Sequence, residues 1–171
     1  GLAFALFYAV MGLPLGRIAD SKSRRNLIAA GVAVWSVMTA LCGLARGFWS
    51  LFIARTGVGV GEATLAPGAY SMITDYFPRR ILARALSVYM VGVTLGSGLA
   101  YMVGGAVVAS LENIEQIVLP LLGPMHGWQL TFFIVGLPGI FVSILLMATV
   151  REPRRRGVGV DGADSIPFSE V

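Results

Sequence analysis

Cysteine and histidine each occur once, as Cys42 and His126, and only 13% of the 171 residues are charged. The lone cysteine excludes a disulfide framework and a metal site built on thiolates, so no metal or other cofactor is expected. His126 stands beside Gly127 and Trp128 with no acid, base or ligand partner near it in sequence, and reads as a solvated loop residue. Ordinary globular chains carry about 25% charged residues. A nucleotide-binding glycine loop, a catalytic triad and a metal cluster are also missing, which argues against an ATP-driven pump or a membrane enzyme.

What is present instead is apolar length. Hydrophobic residues make up 56% of the chain, and the mean hydropathy is +0.79. Windows 27–45, 85–111 and 128–150 contain no charged residue, and each meets the roughly 20-residue requirement for crossing a bilayer. Residues 1–16 are also uncharged but slightly short. They open on Gly without an initiator Met or basic flank, and read as a truncated span, not as a signal peptide.

Residues 48–76 complete a set of five if Arg55 and Glu62 face protein or water. At about 1.5 Å per residue this segment reaches about 43 Å, so its end is expected to project from the membrane, with Pro67 bending the helix. The expected fold is therefore all-α, a polytopic transmembrane bundle with five spans near 1–17, 27–45, 48–76, 84–111 and 128–150. Together these make a helical unit over 1–150. From Arg151 the chain runs through Arg154, Arg155 and Arg156 into a Gly- and Asp-rich stretch with little to bury. Residues 151–171 read as a flexible cytoplasmic linker or tail. In the loop at 111–127, the spacing of Ile114, Ile117, Val118 and Leu121 predicts a short interfacial helix ending near Pro120.

The net charge of +4 reports topology. Arg17, Lys22, Arg24 and Arg25 follow the first span, Arg79, Arg80 and Arg84 follow the third, and Arg151 and residues 154–156 follow the fifth. Arg46 is the basic residue on the other side, where the last loop carries Glu112 and Glu115. The positive-inside rule puts the Arg clusters in the cytoplasm. No basic stretch is interleaved with exposed aromatics, so nucleic acid is not an expected partner.

Arg55 and Glu62 are the best pointer to function, because ionisable residues at membrane depth are costly and usually line a polar pathway. Seven helical steps return to nearly the same azimuth about 10 Å further on, so both face one side of one helix. A buried Glu whose counter-charge moves can switch its protonation, which is the chemistry of proton coupling. A static ion pair holding the bundle is the simpler reading. Gly57, Gly59 and Gly61 strip the helix of bulk where a cavity or a close helix contact can form. Thr64, Tyr70 and Ser71 are further polar candidates for the lining.

Residues 16–25 read Gly-Arg-Ile-Ala-Asp-Ser-Lys-Ser-Arg-Arg. This resembles the loop between the second and third helices that marks the major facilitator superfamily. Gly16, Asp20, Arg24 and Arg25 match its pattern, and Ser23 stands where a second Gly is usual. Residues 55–63, an Arg followed by closely spaced glycines, are similar to the superfamily's fourth-helix signature. The likeness continues through the Asp75-Tyr76-Phe77-Pro78 turn with Arg79, Arg80 and Arg84. It extends into a glycine-rich fifth helix, where Gly92, Gly96, Gly98, Gly104 and Gly105 offer small faces for packing. The proline of the antiporter version of that helix is absent. Strings 55–63, 75–78 and 128–139, and Arg151-Glu152-Pro153, resemble the spinster-like branch.

The resemblance covers residues 1 to about 156 and maps the five spans onto helices two to six of a twelve-helix transporter. The first helix and the C-terminal half are then missing partners of this chain. It implies a secondary active transporter in the lipid bilayer working by alternating access, with a small-molecule substrate. Arg and Ala usage suggests a bacterial inner membrane. Asp20, Arg24 and Arg25, with Asp75 and Arg84, would form a cytoplasmic gate that closes in the outward-open state; the plainer alternative is that they anchor helix ends. Glu62 would carry the proton, and Arg55 would be its counter-charge or an anchor for an anionic group. A lysolipid-like amphiphile is the implied substrate. An organic acid, a sugar, or a non-transporting scaffold role remains open at this point.

Overall fold

The computed structural model describes residues 1–112, 117–119 and 123–155. Its elements in chain order are α1 (Leu2–Ser21), α2 (Arg24–Cys42), α3 (Phe48–Glu62), α4 (Leu65–Tyr76), α5 (Arg79–Leu111), β1 (Ile117–Leu119), β2 (Gly123–Met125), α6 (Gly127–Gly136) and α7 (Pro138–Thr149). The chain is thus an all-α bundle apart from one short hairpin. Three helical stretches are long and apolar enough to cross a membrane, Arg24–Cys42, Arg79–Leu111 and Gly127–Thr149.

Helix α2 is the axis of the bundle, packing against α3, α4, α6 and α7. Its inner face forms two apolar clusters that share Trp35. One joins Ile28 and Val32 to Met72 of α4 and Leu146 of α7. The other joins Cys42 to Ala54 and Val58 of α3 and Phe132 of α6. In hydrocarbon, helices gain little from apolar burial and associate through close backbone approach and interhelical hydrogen bonds. Both are visible here. A Cβ on Gly61 would come within 2.7 Å of Trp35 N and 2.8 Å of Gly31 O, and one on Gly59 within 2.7 Å of Phe4 O. Ser143 Oγ of α7 donates to Ala29 O of α2 at 2.7 Å inside the bundle. The glycines of α3 therefore serve close helix contact. The α5 glycines, by contrast, have nothing within 4 Å in this chain, and no residue of α5 is buried.

Two local expectations are corrected. The segment 48–76 is two helices, broken at Ala63 and Thr64. Both stay in the right-handed helical region, and Thr64 N–H bonds back only three residues, to Gly61 O at 3.3 Å. Pro67 has no N–H to offer the carbonyl four residues back, and its ring crowds that carbonyl, which belongs to Ala63. The interruption therefore falls one turn ahead of the proline.

The loop expected to hold an interfacial helix instead has β1 and β2 pairing antiparallel, Ile117 opposite Met125 and Leu119 opposite Gly123. Met125 is buried and Val118 exposed, so alternation replaces a helical face. Ile114, Pro120 and Leu121 lie outside the described residues, as does 156–171 of the tail. Finally, Ser23 in place of a turn glycine has a specific role: extended at the N-cap of α2, its Oγ accepts from Asn26 N–H at 3.3 Å.

Gly61→Ala would push a methyl into two backbones that cannot step aside. It should lower unfolding stability by about 1–3 kcal/mol, read as a drop in Tm of the detergent-solubilised protein.

Candidate functional site

Chemistry-bearing side chains gather in two places. The first is where α1 ends and α2 begins. Arg24, in the first turn of α2, is almost completely buried yet has every face of its guanidinium answered. Nε donates to Glu152 Oε1 at 2.9 Å, and Nη1 to Ser71 Oγ at 2.9 Å and in close contact to Asp75 Oδ2. Nη2 reaches Pro153 O at 3.2 Å. Glu152 also sits against the open N-terminus of α2, its Oε2 accepting from Arg25 N–H at 2.7 Å and Ser23 Oγ at 2.9 Å. Arg155 caps the other side of the turn, donating to Ala19 O at 3.0 Å and Lys22 O at 2.8 Å. Tyr76 OH donates closely to Arg151 O. One buried cation thus ties the start of α2 to the end of α4 and to the segment after α7.

Of the residues proposed for a gate, Arg24 and Asp75 are joined directly, and Arg25 enters through its backbone N–H. Gly16 lies where α1 comes nearest α4, with Pro67 Cβ 4.0 Å from the place its own Cβ would occupy. Asp20, at the end of α1, and Arg84, on α5, are exposed and outside the cluster. Glu152, Ser71 and Arg155 are the cluster members that sequence reasoning did not assign to it. The available signal was an acidic residue amid arginines, followed by Pro153, directly after the last apolar stretch. Ser71, a candidate for the pathway lining, belongs to this cluster through both its Oγ and its carbonyl.

The second place is α3. Arg55 and Glu62 are both half-buried and do not pair with each other. Arg55 instead places its guanidinium carbon 5.5 Å from the centre of the Phe132 ring of α6, a cation–π contact. It is also the one charged side chain lining an otherwise apolar cavity of about 540 Å³ formed with Phe4, Leu6, Phe48, Leu51 and Phe52. Glu62 ends α3 at the helix break and takes no hydrogen bond from a described residue. The Thr56 hydroxyl, adjacent to Arg55, is buried with no hydrogen-bond partner among the described residues. Thr64 spends its hydroxyl on Gly61 O at 2.8 Å. Tyr70 packs edge-on against Tyr89 of α5, ring centres 5.3 Å apart.

Among the described residues, one helix of this apolar bundle thus carries an acid without an ion pair and an arginine over a ring face, and a charge knot closes one end. Residues 1–170 match the sequence profile of the Major Facilitator Superfamily. The chain belongs to that superfamily and, within it, to the spinster-like branch, as an integral membrane protein. It is 33% identical over 157 residues to human protein spinster homolog 1, covering 91% of this chain and 27% of that protein. To an MFS-type efflux pump of Mycolicibacterium smegmatis it is 28% identical over 154 residues, 89% of this chain and 32% of the pump. The crystal structure of a bacterial homolog of the human lysosomal transporter spinster, inward-facing and unoccupied, superposes with a TM-score of 0.77 at 39% identity. That match covers 99% of this chain and 37% of the other. The chain thus spans about a third of the length of these relatives.

Arg24→Met takes the shared ion-pair partner from Asp75 and Glu152, so it should cost about 3–5 kcal/mol of stability, measured by chemical unfolding in detergent. Burial opposes charge on Glu152, but the hydrogen bonds from Arg25 N–H, Arg24 and Ser23 outweigh it and hold the carboxyl below the usual carboxylate range. Its contribution is therefore complete above the ordinary carboxylate pKa and lost as pH falls through the lower folded value. In Glu152→Gln this acid-side loss should disappear from a plot of Tm against pH.

Proposed function

We propose that this chain is the N-terminal part of a secondary active transporter that moves an amphiphilic or anionic small molecule by alternating access, coupled to protons through Glu62. The observation that carries this reading is a half-buried carboxylate with no counter-ion among the described residues, two turns from an arginine set in an apolar cavity. A purely structural acid at membrane depth would be paired. Glu62, left without a fixed partner, can lose and regain a proton as water or a moving cation reaches it. Arg55 has a weakly held guanidinium over Phe132 and apolar walls around it, which suits an anionic head with a hydrocarbon tail, such as a lysolipid.

The Arg24, Asp75 and Glu152 cluster, together with Arg25 and the exposed Asp20 and Arg84, would act as the inner gate. Its ion pairs supply contacts that can exist in one state and be absent in the other. The Arg-rich ends then lie in the cytoplasm, of a bacterial inner membrane, and the pathway is completed by a first helix and a C-terminal half outside this chain.

The test is substrate-dependent proton flux by the full-length protein in proteoliposomes, across lysolipids, organic acids and sugars. Glu62→Gln should abolish proton movement with the fold intact, and Arg55→Gln should raise the apparent KM for an anionic amphiphile about tenfold, or about 1.4 kcal/mol. Full cellular activity in the double variant Arg55→Met, Glu62→Gln would instead indicate a scaffold.

A further inference from the structure

At the end of the bundle opposite Arg24, the turn between α2 and α3 meets the start of α6, and Gln129 locks the junction. Its amide donates to Gly43 O at 2.8 Å, and its Oε1 accepts from His126 N–H at 3.0 Å. Ser50 Oγ holds the turn itself, accepting from the N–H groups of Arg46 and Gly47, each at 3.2 Å. Beside this fixed junction opens a cleft of about 700 Å³ that carries Arg46 and His126 and is walled by Phe48, Leu51 and Trp128. A second cleft of about 580 Å³ shares His126 and Trp128 and carries Glu112. The two clefts meet at His126 and Trp128, a paired recess with a cation lining one side and a carboxylate lining the other. The Arg46 guanidinium makes no ion pair with a described residue.

The surroundings place this recess at the membrane surface. Phe48, Trp49 and Trp128 are 71%, 70% and 50% exposed at helix ends, as aromatic side chains are at headgroup level. Charge and shape then select the occupant. A soluble anion gains nothing from the apolar walls, and a purely anionic lipid that satisfies Arg46 faces the Glu112 carboxylate. A head with a phosphate and a primary ammonium a few bonds apart answers both charges. Phosphate accepts from guanidinium, and ammonium pairs with carboxylate and lies over an indole. We infer that this recess binds one phospholipid with a phosphoethanolamine head, phosphate on Arg46, ammonium on Glu112 beside Trp128, and an acyl chain along Phe48 and Leu51. This requires the membrane location of the chain and not the transport chemistry proposed for Arg55 and Glu62. Bound there, the lipid pins the first turn of α3 to the first turn of α6.

The experiment is native mass spectrometry of the full-length protein released from mild detergent, titrated with phosphatidylethanolamine or phosphatidylglycerol of identical acyl chains. The wild type should retain one phosphatidylethanolamine on the order of tenfold more tightly than phosphatidylglycerol. Arg46→Gln should lose retention of both, while Glu112→Gln should bring phosphatidylglycerol up to the level of phosphatidylethanolamine. Arg79→Gln, an exposed cation at the other end of the bundle, should match the wild type. All three positions are exposed, so unchanged Tm values serve as the fold control. Equal retention of the two lipids by the wild type, or an unaltered preference in both Arg46→Gln and Glu112→Gln, would overturn the assignment.

Discussion

The buried guanidinium of Arg24 is the point on which the geometry of the described bundle hangs. Lipid tails are as apolar as Leu side chains, so apolar faces alone cannot decide which helix neighbours which. A cation removed from water can decide it, because it is tolerated only where its donors are answered. Asp75 and Ser71 come from the last turns of α4, and Glu152 and Pro153 from the chain after α7. Those ends must converge on the start of α2. With that convergence set at one end, the close approaches along α2 follow. Gly31 lies against Gly61, and further along Gly136 comes within contact of Ser36 and Ala40.

The two functional places differ in how their charges are treated. At the Arg24 knot the buried cation is paired with Asp75 and Glu152, and Glu152 occupies a helix N-terminus that would favour it even without the cation. On α3 the charges are left unneutralised by each other. Arg55 lies against a ring face, and Glu62 ends its helix at a break. The first arrangement fixes how the helix ends meet, and the second leaves charge available on α3, the contrast on which the proposed function rests.

Much of this was legible in the sequence because it depends on local spacing. Apolar windows between basic clusters mark membrane helices whatever packs against them, and the 16–25 string carries its identity in Gly16, Asp20, Arg24 and Arg25. What was not legible depends on partners distant along the chain or on backbone pairing. The contact of Arg24 with Glu152 joins residues 128 positions apart, and no local pattern announces it. The spacing of Ile117 and Val118 fits a helical face as well as an alternating strand, and only the pairing with 123–125 chooses. The break at Ala63 was misplaced because the effect of a proline is felt four residues upstream of its ring. The glycines of α5 look as suited to packing as those of α3, but among the described residues it is Gly59 and Gly61 of α3 that face a neighbouring backbone.

Helix α5 stands in a different relation to its solvent from the rest. Its uncharged stretch, residues 85–111, is about 40 Å long in a hydrocarbon layer of about 30 Å. Such a helix meets the mismatch by leaning roughly 40° from the normal or by thickening the lipid around it. Among the described residues it packs chiefly against α4 and α6. Bilayer thickness therefore acts as an external setting on the angle at which α5 leaves α4, and the same sequence would hold a different splay in a thin membrane than in a thick one.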